Sequence, residues 1–63
     1  MKIGRNIREI RRNKRIRQID LAASSGISNT YLSDIENGRT TPSLKALIRI
    51  AASLDIDIAE LLK

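Results

Sequence analysis

A cluster of short polar side chains in the middle of the chain has the chemistry to hydrogen-bond to flat polar edges, such as those of nucleic-acid bases. The four residues are Asn29, Thr30, Ser33 and Asp34. If residues 29–37 form a helix, a rotation of about 100° per residue places all four on one arc of its surface. A solvated helix face usually carries Lys and Glu, whereas short polar groups let another surface approach closely. This arc is therefore a candidate binding surface.

The groups on this arc match features that base pairs present in the major groove. Asn29 can pair bidentately with adenine, Thr30 can contact a thymine methyl group, and Ser33 can donate or accept. Asp34 can accept from the amino group of cytosine, although its charge would repel a phosphate. An alternative for Asn29 is a purely structural role, since asparagine favours the start of a helix.

The residues around the arc fit two short helices joined by a tight turn. Ala22 is a small residue where the two helices would cross, and Gly26, four residues later, allows the positive φ that the turn needs. Ser28 is a suitable N-cap for the later helix. Leu32 and Ile35 lie on the side of that helix away from the polar arc, so they face a core. These spacings together predict a helix-turn-helix.

Apolar residues recur at helical spacing along the whole chain and predict an all-α fold of five short helices around an Ile and Leu core. The expected helices run over Ile3–Asn13, Gln18–Ser25 and Asn29–Asn37, and two more begin after the caps Ser43 and Asp57.

Several other positions have an expected structural role. Glycine and proline are expected to punctuate the helices, at Gly4, Gly26, Gly38 and Pro42. The fourth helix is expected to have a broad apolar face made of Leu44, Leu47, Ile48, Ala51, Ala52 and Leu54. Near the end of the chain, Leu61 and Leu62 either pack inward or form a dimer patch.

The composition excludes most kinds of catalytic and metal site. The 63 residues include no Cys and no His, which removes thiolate nucleophiles, histidine bases and the usual zinc ligands. A single domain over residues 1–63 has no room for a deep pocket, so we expect no catalytic residue, no metal and no cofactor. The sequence contains no long apolar run and no signal peptide, so we expect no membrane partner and a cytoplasmic location.

Charge is distributed unevenly along the chain. The formal net charge is +5, but residues 1–17 hold eight basic residues against one acidic residue, a net charge of +7. Such asymmetry suggests a surface that meets a polyanion. The alternative is a basic helix face that is simply solvated.

The residues of the predicted helix-turn-helix resemble a known family. Gln18–Ala22, Gly26–Ser28, Tyr31–Gly38 and Pro42–Ser43 are similar to the phage-repressor and Cro type, also called lambda-repressor-like or xenobiotic-response-element-like. The resemblance implies a compact five-helix domain with the helix-turn-helix at helices two and three. It also implies a transcriptional regulator, most simply a repressor, that binds a double-stranded DNA operator as a homodimer on a pseudo-palindrome. Helix three would then enter the major groove.

The resemblance also assigns roles to side chains. Base contacts map onto Asn29, Thr30, Ser33 and in some relatives Asp34. The start of the second helix favours a phosphate, because its N–H groups are free and its dipole is positive there. Together with the loop after the third helix, this gives candidate backbone contacts at Arg17, Gln18, Tyr31, Asn37, Arg39 and Thr40. As alternatives, Arg39 is a solvated charge and Tyr31 a core aromatic.

By the same resemblance, Arg11 on the first helix and Glu36 at the end of the third form a partly buried, structural ion pair. The remaining arginines of the first helix and the turn after it are expected to form a solvated face that steers DNA at long range, at Arg5, Arg8, Arg12 and Arg15.

Two positions depart from the family pattern. Arg15 stands where a glycine commonly ends helix one, so either Arg15 adopts an unusual turn or the helix ends differently. Arg17 stands where Ser or Thr commonly caps helix two, and losing that cap costs about 1 kcal/mol. A bound phosphate would compensate, so we expect helix two to be better ordered on DNA.

Other function classes compete with DNA binding. Antitoxins share this fold, so a protein partner of the antitoxin or antirepressor kind stays open. A membrane-active amphipathic helix is disfavoured, because the first helix has no Trp or Phe.

Overall fold

The computed structural model describes residues 2–63, and its elements are helical throughout that range. The α-helices are α1 (Ile3–Asn13), α2 (Gln18–Ser25), α3 (Asn29–Glu36) and α4 (Leu44–Leu54), followed by a 3₁₀ helix over Ile58–Leu61. The all-α prediction is confirmed, with the fifth helix being a 3₁₀ turn. Helix α3 ends one residue earlier than expected, because Gly38 reverses the chain at φ 73°. None of the described helices combines the length and the apolarity needed to cross a membrane.

One hydrophobic core joins all the elements. Its fully buried side chains come from each helix, namely Ile7, Leu21, Leu32, Ile35, Ile50, Leu54 and Leu61. The predicted inward orientation of Leu32 and Ile35 is confirmed. Of the two C-terminal leucines, Leu61 packs inward, whereas Leu62 is 39% exposed.

The predicted apolar face of α4 was partly wrong. Leu44 and Ile48 are 68% and 54% exposed, and Ala52 is exposed as well. The buried arc is instead made of Ala46, Leu47, Ile50, Ala51 and Leu54. Because α4 is apolar around most of its circumference, periodicity alone does not decide which side meets the core.

The connection between α2 and α3 forms as its residues predict. Gly26 adopts the left-handed conformation at φ 69°, and the N–H of Ile27 donates to the Ala22 carbonyl at 3.1 Å. The Ser28 hydroxyl then accepts from the N–H of Tyr31 and caps α3. Ala22 is almost fully buried at this junction. The turn therefore fixes α3 against α2 without any long loop.

Helix α1 ends in a left-handed turn although it has no glycine there. Arg15 adopts φ 59°, and the N–H of Ile16 donates to the Arg11 carbonyl at 3.0 Å. Of the two alternatives, the chain therefore takes the unusual turn. Arg17 occupies the N-cap of α2 in extended conformation and its side chain makes no capping hydrogen bond.

Gly4 does not punctuate the chain, contrary to expectation; it lies inside α1 where α1 touches α3. A Cβ at this position would collide with the Ile35 carbonyl oxygen and would lie 3.2 Å from the Glu36 Cα. Both atoms belong to backbone, which cannot rotate away. Glycine is thus required here for close approach of two helices rather than for a turn.

We predict that Gly4→Ala destabilises the fold although alanine favours helices. Pushing α1 away from α3 should cost about 1–3 kcal/mol, and each kcal/mol should lower Tm by about 4–8 °C in a domain of this size. Thermal unfolding followed by circular dichroism measures the effect. Arg12→Ala, an exposed change in the same helix, is the control. A Tm for Gly4→Ala at or above that of the original chain would contradict the close packing.

Candidate nucleic-acid interface

The polar arc of α3 lies at the surface, where another molecule can reach it. Asn29 and Thr30, in the first turn, are exposed, and Ser33 and Asp34, one turn later, are half-buried. The opposite side of α3 carries Leu32, which is fully buried. The eight residues of α3 thus separate a core face from a polar face.

The loop after α3 is held against the polar arc by Asn37. Its side-chain amide donates to the Ser33 carbonyl at 2.9 Å and to the Ser33 Oγ at 3.3 Å. Its side-chain oxygen accepts from the Arg8 guanidinium. Arg39 lies 3.5 Å from the Asp34 carboxylate, and Thr40 is exposed beside them. Asn37 therefore positions the loop, and its own side chain, like those of Arg39 and Thr40, is exposed.

Tyr31 packs in the core through its ring and reaches the start of α4 through its hydroxyl. Its ring packs against the core, while its hydroxyl oxygen accepts from the backbone N–H of Ser43 at 3.2 Å. Ser43 is the N-cap of α4, so Tyr31 links α3 to the start of α4. The hydroxyl proton is not used in this bond and is available to an acceptor at the surface.

The start of α2 brings a neutral donor and a paired arginine together. The Arg17 Nε lies 2.8 Å from the Asp20 Oδ2 and its Nη2 lies 3.4 Å from the Oδ1, with both side chains exposed. The Gln18 Nε2 donates to the Glu36 Oε1 at 3.2 Å. Gln18 is thereby oriented by a carboxylate at the end of α3.

The Glu36 carboxylate is the point where α1, α2 and α3 meet. The Arg11 Nε and Nη2 donate to its two oxygens at 2.8 and 2.9 Å, a bidentate pair with both side chains buried. The remaining Arg11 nitrogen, Nη1, donates to the Ile16 carbonyl at 2.9 Å, within the turn that leads into α2. The structure thus brings Arg11 and Glu36 together and adds Gln18 and Ile16 to the same network.

Arg8 is a member of this network that the sequence patterns did not predict. It was expected on the solvated face, but its Nε lies 3.6 Å from the Glu36 Oε1 and its side chain is only one-third exposed. Arg8 and Arg11 are three residues apart, so they share one side of α1. That spacing was a usable signal once Arg11 had been assigned to Glu36.

The pKa of Glu36 reflects two opposing effects. Burial penalises the carboxylate and by itself would raise the pKa. Hydrogen bonds from Arg11 and Gln18, with the charges of Arg11 and Arg8, outweigh burial and hold the pKa of Glu36 below its ordinary value of 4.5. Glu36 is therefore ionised at neutral pH despite being almost fully buried.

The surface built by these residues presents hydrogen-bond donors of several kinds. It offers amide, hydroxyl and guanidinium donors at the start of α2, along α3 and in the loop after it. No group of three His, Cys, Asp or Glu side chains within residues 2–63 could hold a metal ion. Three parts of the chain together form the candidate interface: the N-terminal end of α2, the polar arc of α3 and the loop over residues 37–40.

Comparison with known proteins places this arrangement among helix-turn-helix proteins. The family model described as helix-turn-helix matches residues 7–61. The ImmF control region 10 kDa protein of Bacillus phage phi105 is 47% identical over 57 residues, which cover 90% of this chain and 63% of that protein. The chain spans about half the length of the curated relatives it matches.

Solved structures show the same fold. The DNA-binding domain of the P22 C2 repressor superposes with a TM-score of 0.94 at 32% identity, over 100% of this chain and 83% of that one. SinR of Bacillus subtilis, a master regulator for biofilm formation solved in complex with DNA, superposes with a TM-score of 0.90 at 35% identity. That match covers 97% of this chain and 98% of the SinR chain.

We predict that Arg11→Met is far more damaging than removal of the whole ion pair. The single change leaves the buried Glu36 carboxylate without its main partner, which should cost about 3–5 kcal/mol. The double variant Arg11→Met/Glu36→Leu should recover most of that loss, because it leaves no buried charge. Urea unfolding of both variants and the original chain measures the difference. If the double variant is as unstable as Arg11→Met, the uncompensated charge is not the cause.

We predict that acid weakens the fold through Glu36. Because its pKa is lower in the folded chain than in the unfolded chain, its contribution is fully present above about pH 4.5 and is lost as pH falls through the lower, folded pKa. Glu36→Gln should be less stable at pH 7 but should lose less stability on acidification. Urea unfolding from pH 7 to pH 2 tests this. Parallel pH curves for the two proteins would be inconsistent with this origin.

Proposed function

The chain belongs to the helix-turn-helix family, and from that premise we propose that it is a sequence-specific, double-stranded-DNA-binding transcriptional regulator. Its relatives include phage immunity proteins and bacterial transcriptional regulators. We propose that α3 enters the major groove of an operator, with the first turn of the helix nearest the base edges. The polar arc of α3, short and free of long charged side chains, is the observation that carries this proposal.

The base contacts follow from what each side chain on the arc offers. Asn29 and Thr30 are exposed in the first turn of α3, where they can reach adenine and a thymine methyl group. Ser33 is one turn further along, where its Oγ accepts from the Asn37 side-chain amide at 3.3 Å. Asp34, half-buried on the same turn, can accept from a cytosine amino group.

Backbone contacts would come from both sides of α3. Gln18, held by Glu36 at the start of α2, would meet one DNA strand with Arg17 beside it. Tyr31 can donate its hydroxyl proton to a phosphate, because its oxygen already accepts from Ser43. Arg39, Thr40 and the exposed Asn37 extend from the loop on the other side, where Asn37 also holds the loop to Ser33.

We further propose that two copies bind a pseudo-palindrome as a homodimer and repress transcription in the cytoplasm. A single copy offers few phosphate contacts, and two copies double them while reading two half-sites one helical turn apart. The protein would act by binding alone, without a catalytic step. The support for repression is the resemblance to phage repressors, including the immunity repressor of Bacillus phage phi105, 37% identical over 59 residues.

Selection of binding sequences from a random duplex library tests this function, and substitutions then sort the contacts. Asn29→Ala should relax the preference at one base position per half-site and cost about 1–3 kcal/mol with the preferred base. Arg39→Ala should weaken binding to all sequences alike and lower the slope of log K against log salt by about one.

Arg49→Ala serves as the matched control for Arg39→Ala. It removes the same charge from α4, beside Gly26 and outside the candidate interface. Enrichment of an inverted repeat would support the dimeric reader. If the chain enriches no sequence and binds no duplex, the proposed function is wrong.

A further inference from the structure

The two arginines expected to bind phosphate are both held by carboxylates of the chain itself. At the start of α2, the Arg17 Nε is 2.8 Å from the Asp20 Oδ2. At the end of the polar arc, the Arg39 Nη1 is 3.5 Å from the Asp34 Oδ1. Each pair thus combines a cation and an anion on the surface that would face DNA. A surface that only had to bind a polyanion would not be expected to carry two acidic residues, because their carboxylates repel phosphates.

We propose that Asp20 and Asp34 occupy the place of DNA phosphates in the free protein, so that binding proceeds by exchange of carboxylate for phosphate on Arg17 and Arg39. This inference rests on the proposed function and adds a role for the two acids. They are positioning residues: they hold each guanidinium over the candidate interface before DNA arrives, and they lower the affinity of the interface for any DNA backbone.

The geometry at Arg17 is that of a phosphate contact. Two guanidinium nitrogens reach the two oxygens of one carboxylate, the same fork that arginine presents to a phosphate. Asp20 also lies in the first turn of α2, where the positive end of the helix dipole favours an anion. The Asp20 carboxylate is therefore stabilised by the Arg17 guanidinium and by the helix dipole, the same two interactions that the start of α2 would offer to a DNA phosphate.

Exchange is feasible because neither pair is buried. The side chains of Arg17 and Asp20 are 79% and 52% exposed, and Asp34 is also accessible. Exposed ion pairs are weak, and water solvates a released carboxylate fully. Glu36, by contrast, is buried and bidentately held by Arg11, so it cannot release its partner in this way. The buried Glu36 is therefore fixed to its arginine, whereas the exposed Asp20 and the accessible Asp34 can release theirs.

The exchange changes the effective charge of the interface. With its acid attached, each arginine contributes little net charge until a phosphate displaces the carboxylate. Binding to the backbone alone is weakened for every sequence, while hydrogen bonds from Asn29 and Thr30 to bases are unaffected. Base contacts therefore make up a larger share of the total binding free energy than the number of arginines suggests.

Binding of a random-sequence duplex tests the inference with Asp20→Asn and Asp34→Asn. Each change should raise affinity about threefold to tenfold at roughly 0.1 M salt and steepen the salt slope by about one, because an arginine is then free for phosphate. Asp55→Asn is the matched control. It makes the same charge change at the far end of α4 and should alter affinity less than about twofold. Thermal unfolding checks that each variant is folded.

The Arg17→Ala background separates exchange from simple repulsion. If Asp20 acts by holding Arg17, then Asp20→Asn should have most of its effect in the original chain and little effect when Arg17→Ala is present. The exchange would be overturned if Asp20→Asn raised the affinity for DNA equally with and without Arg17→Ala. It would also be overturned if Asp55→Asn raised the affinity as much as Asp20→Asn does. Unchanged affinity of Asp20→Asn in a chain that binds its selected duplex would overturn it too, but would leave the proposed function intact. Absence of binding to any duplex by the original chain would overturn both.

Discussion

The bidentate pair between Arg11 and Glu36 is the constraint on which the rest of the structure depends. It joins the end of α3 to the last turn of α1, and through the Ile16 carbonyl it fixes the turn that leads into α2. Gln18 takes its orientation from the same carboxylate. A buried charge is costly unless every partner is in place. The relative position of α2 and α3, and hence the candidate interface, is therefore coupled to the stability of the fold.

Much of this arrangement can be predicted from the sequence, because it depends on the local chemistry of single residues and their neighbours. Gly26 and Ser28 mark the turn between α2 and α3, and they do so through a positive φ and a hydroxyl cap that few other residues provide as well. The spacing of Leu32 and Ile35 separates the core side of α3 from its polar arc. Such features depend on a residue and its near neighbours, so pattern and propensity suffice to predict them.

The parts that the sequence did not reveal depend on contacts between distant residues. In the sequence Gly4 looks like a helix boundary, and only the structure shows that it lies against the backbone of Ile35. Leu44 and Ile48 resemble core residues because α4 is apolar on most sides, and only packing against α2 and the 3₁₀ helix selects the buried arc. Ion-pair partners are equally long-range. The three-residue spacing of Arg8 and Arg11 points to Glu36 only once Arg11 is known to pair with that carboxylate.

The N-terminal charge has a different meaning in three dimensions. Positions 1–17 hold eight basic residues. Arg11 forms a buried ion pair with Glu36, and Arg8 lies near the same carboxylate. Arg17 forms an exposed ion pair with Asp20. Charge that looks available to a polyanion is thus partly used to hold the helices together. In the proposed function, the other basic side chains would attract DNA at long range, where direction matters little. Close to DNA, we expect neutral donors such as Asn29 and Gln18 to make contacts alongside Arg17 and Arg39. This combination favours a surface that discriminates between DNA sequences over one that simply attracts DNA.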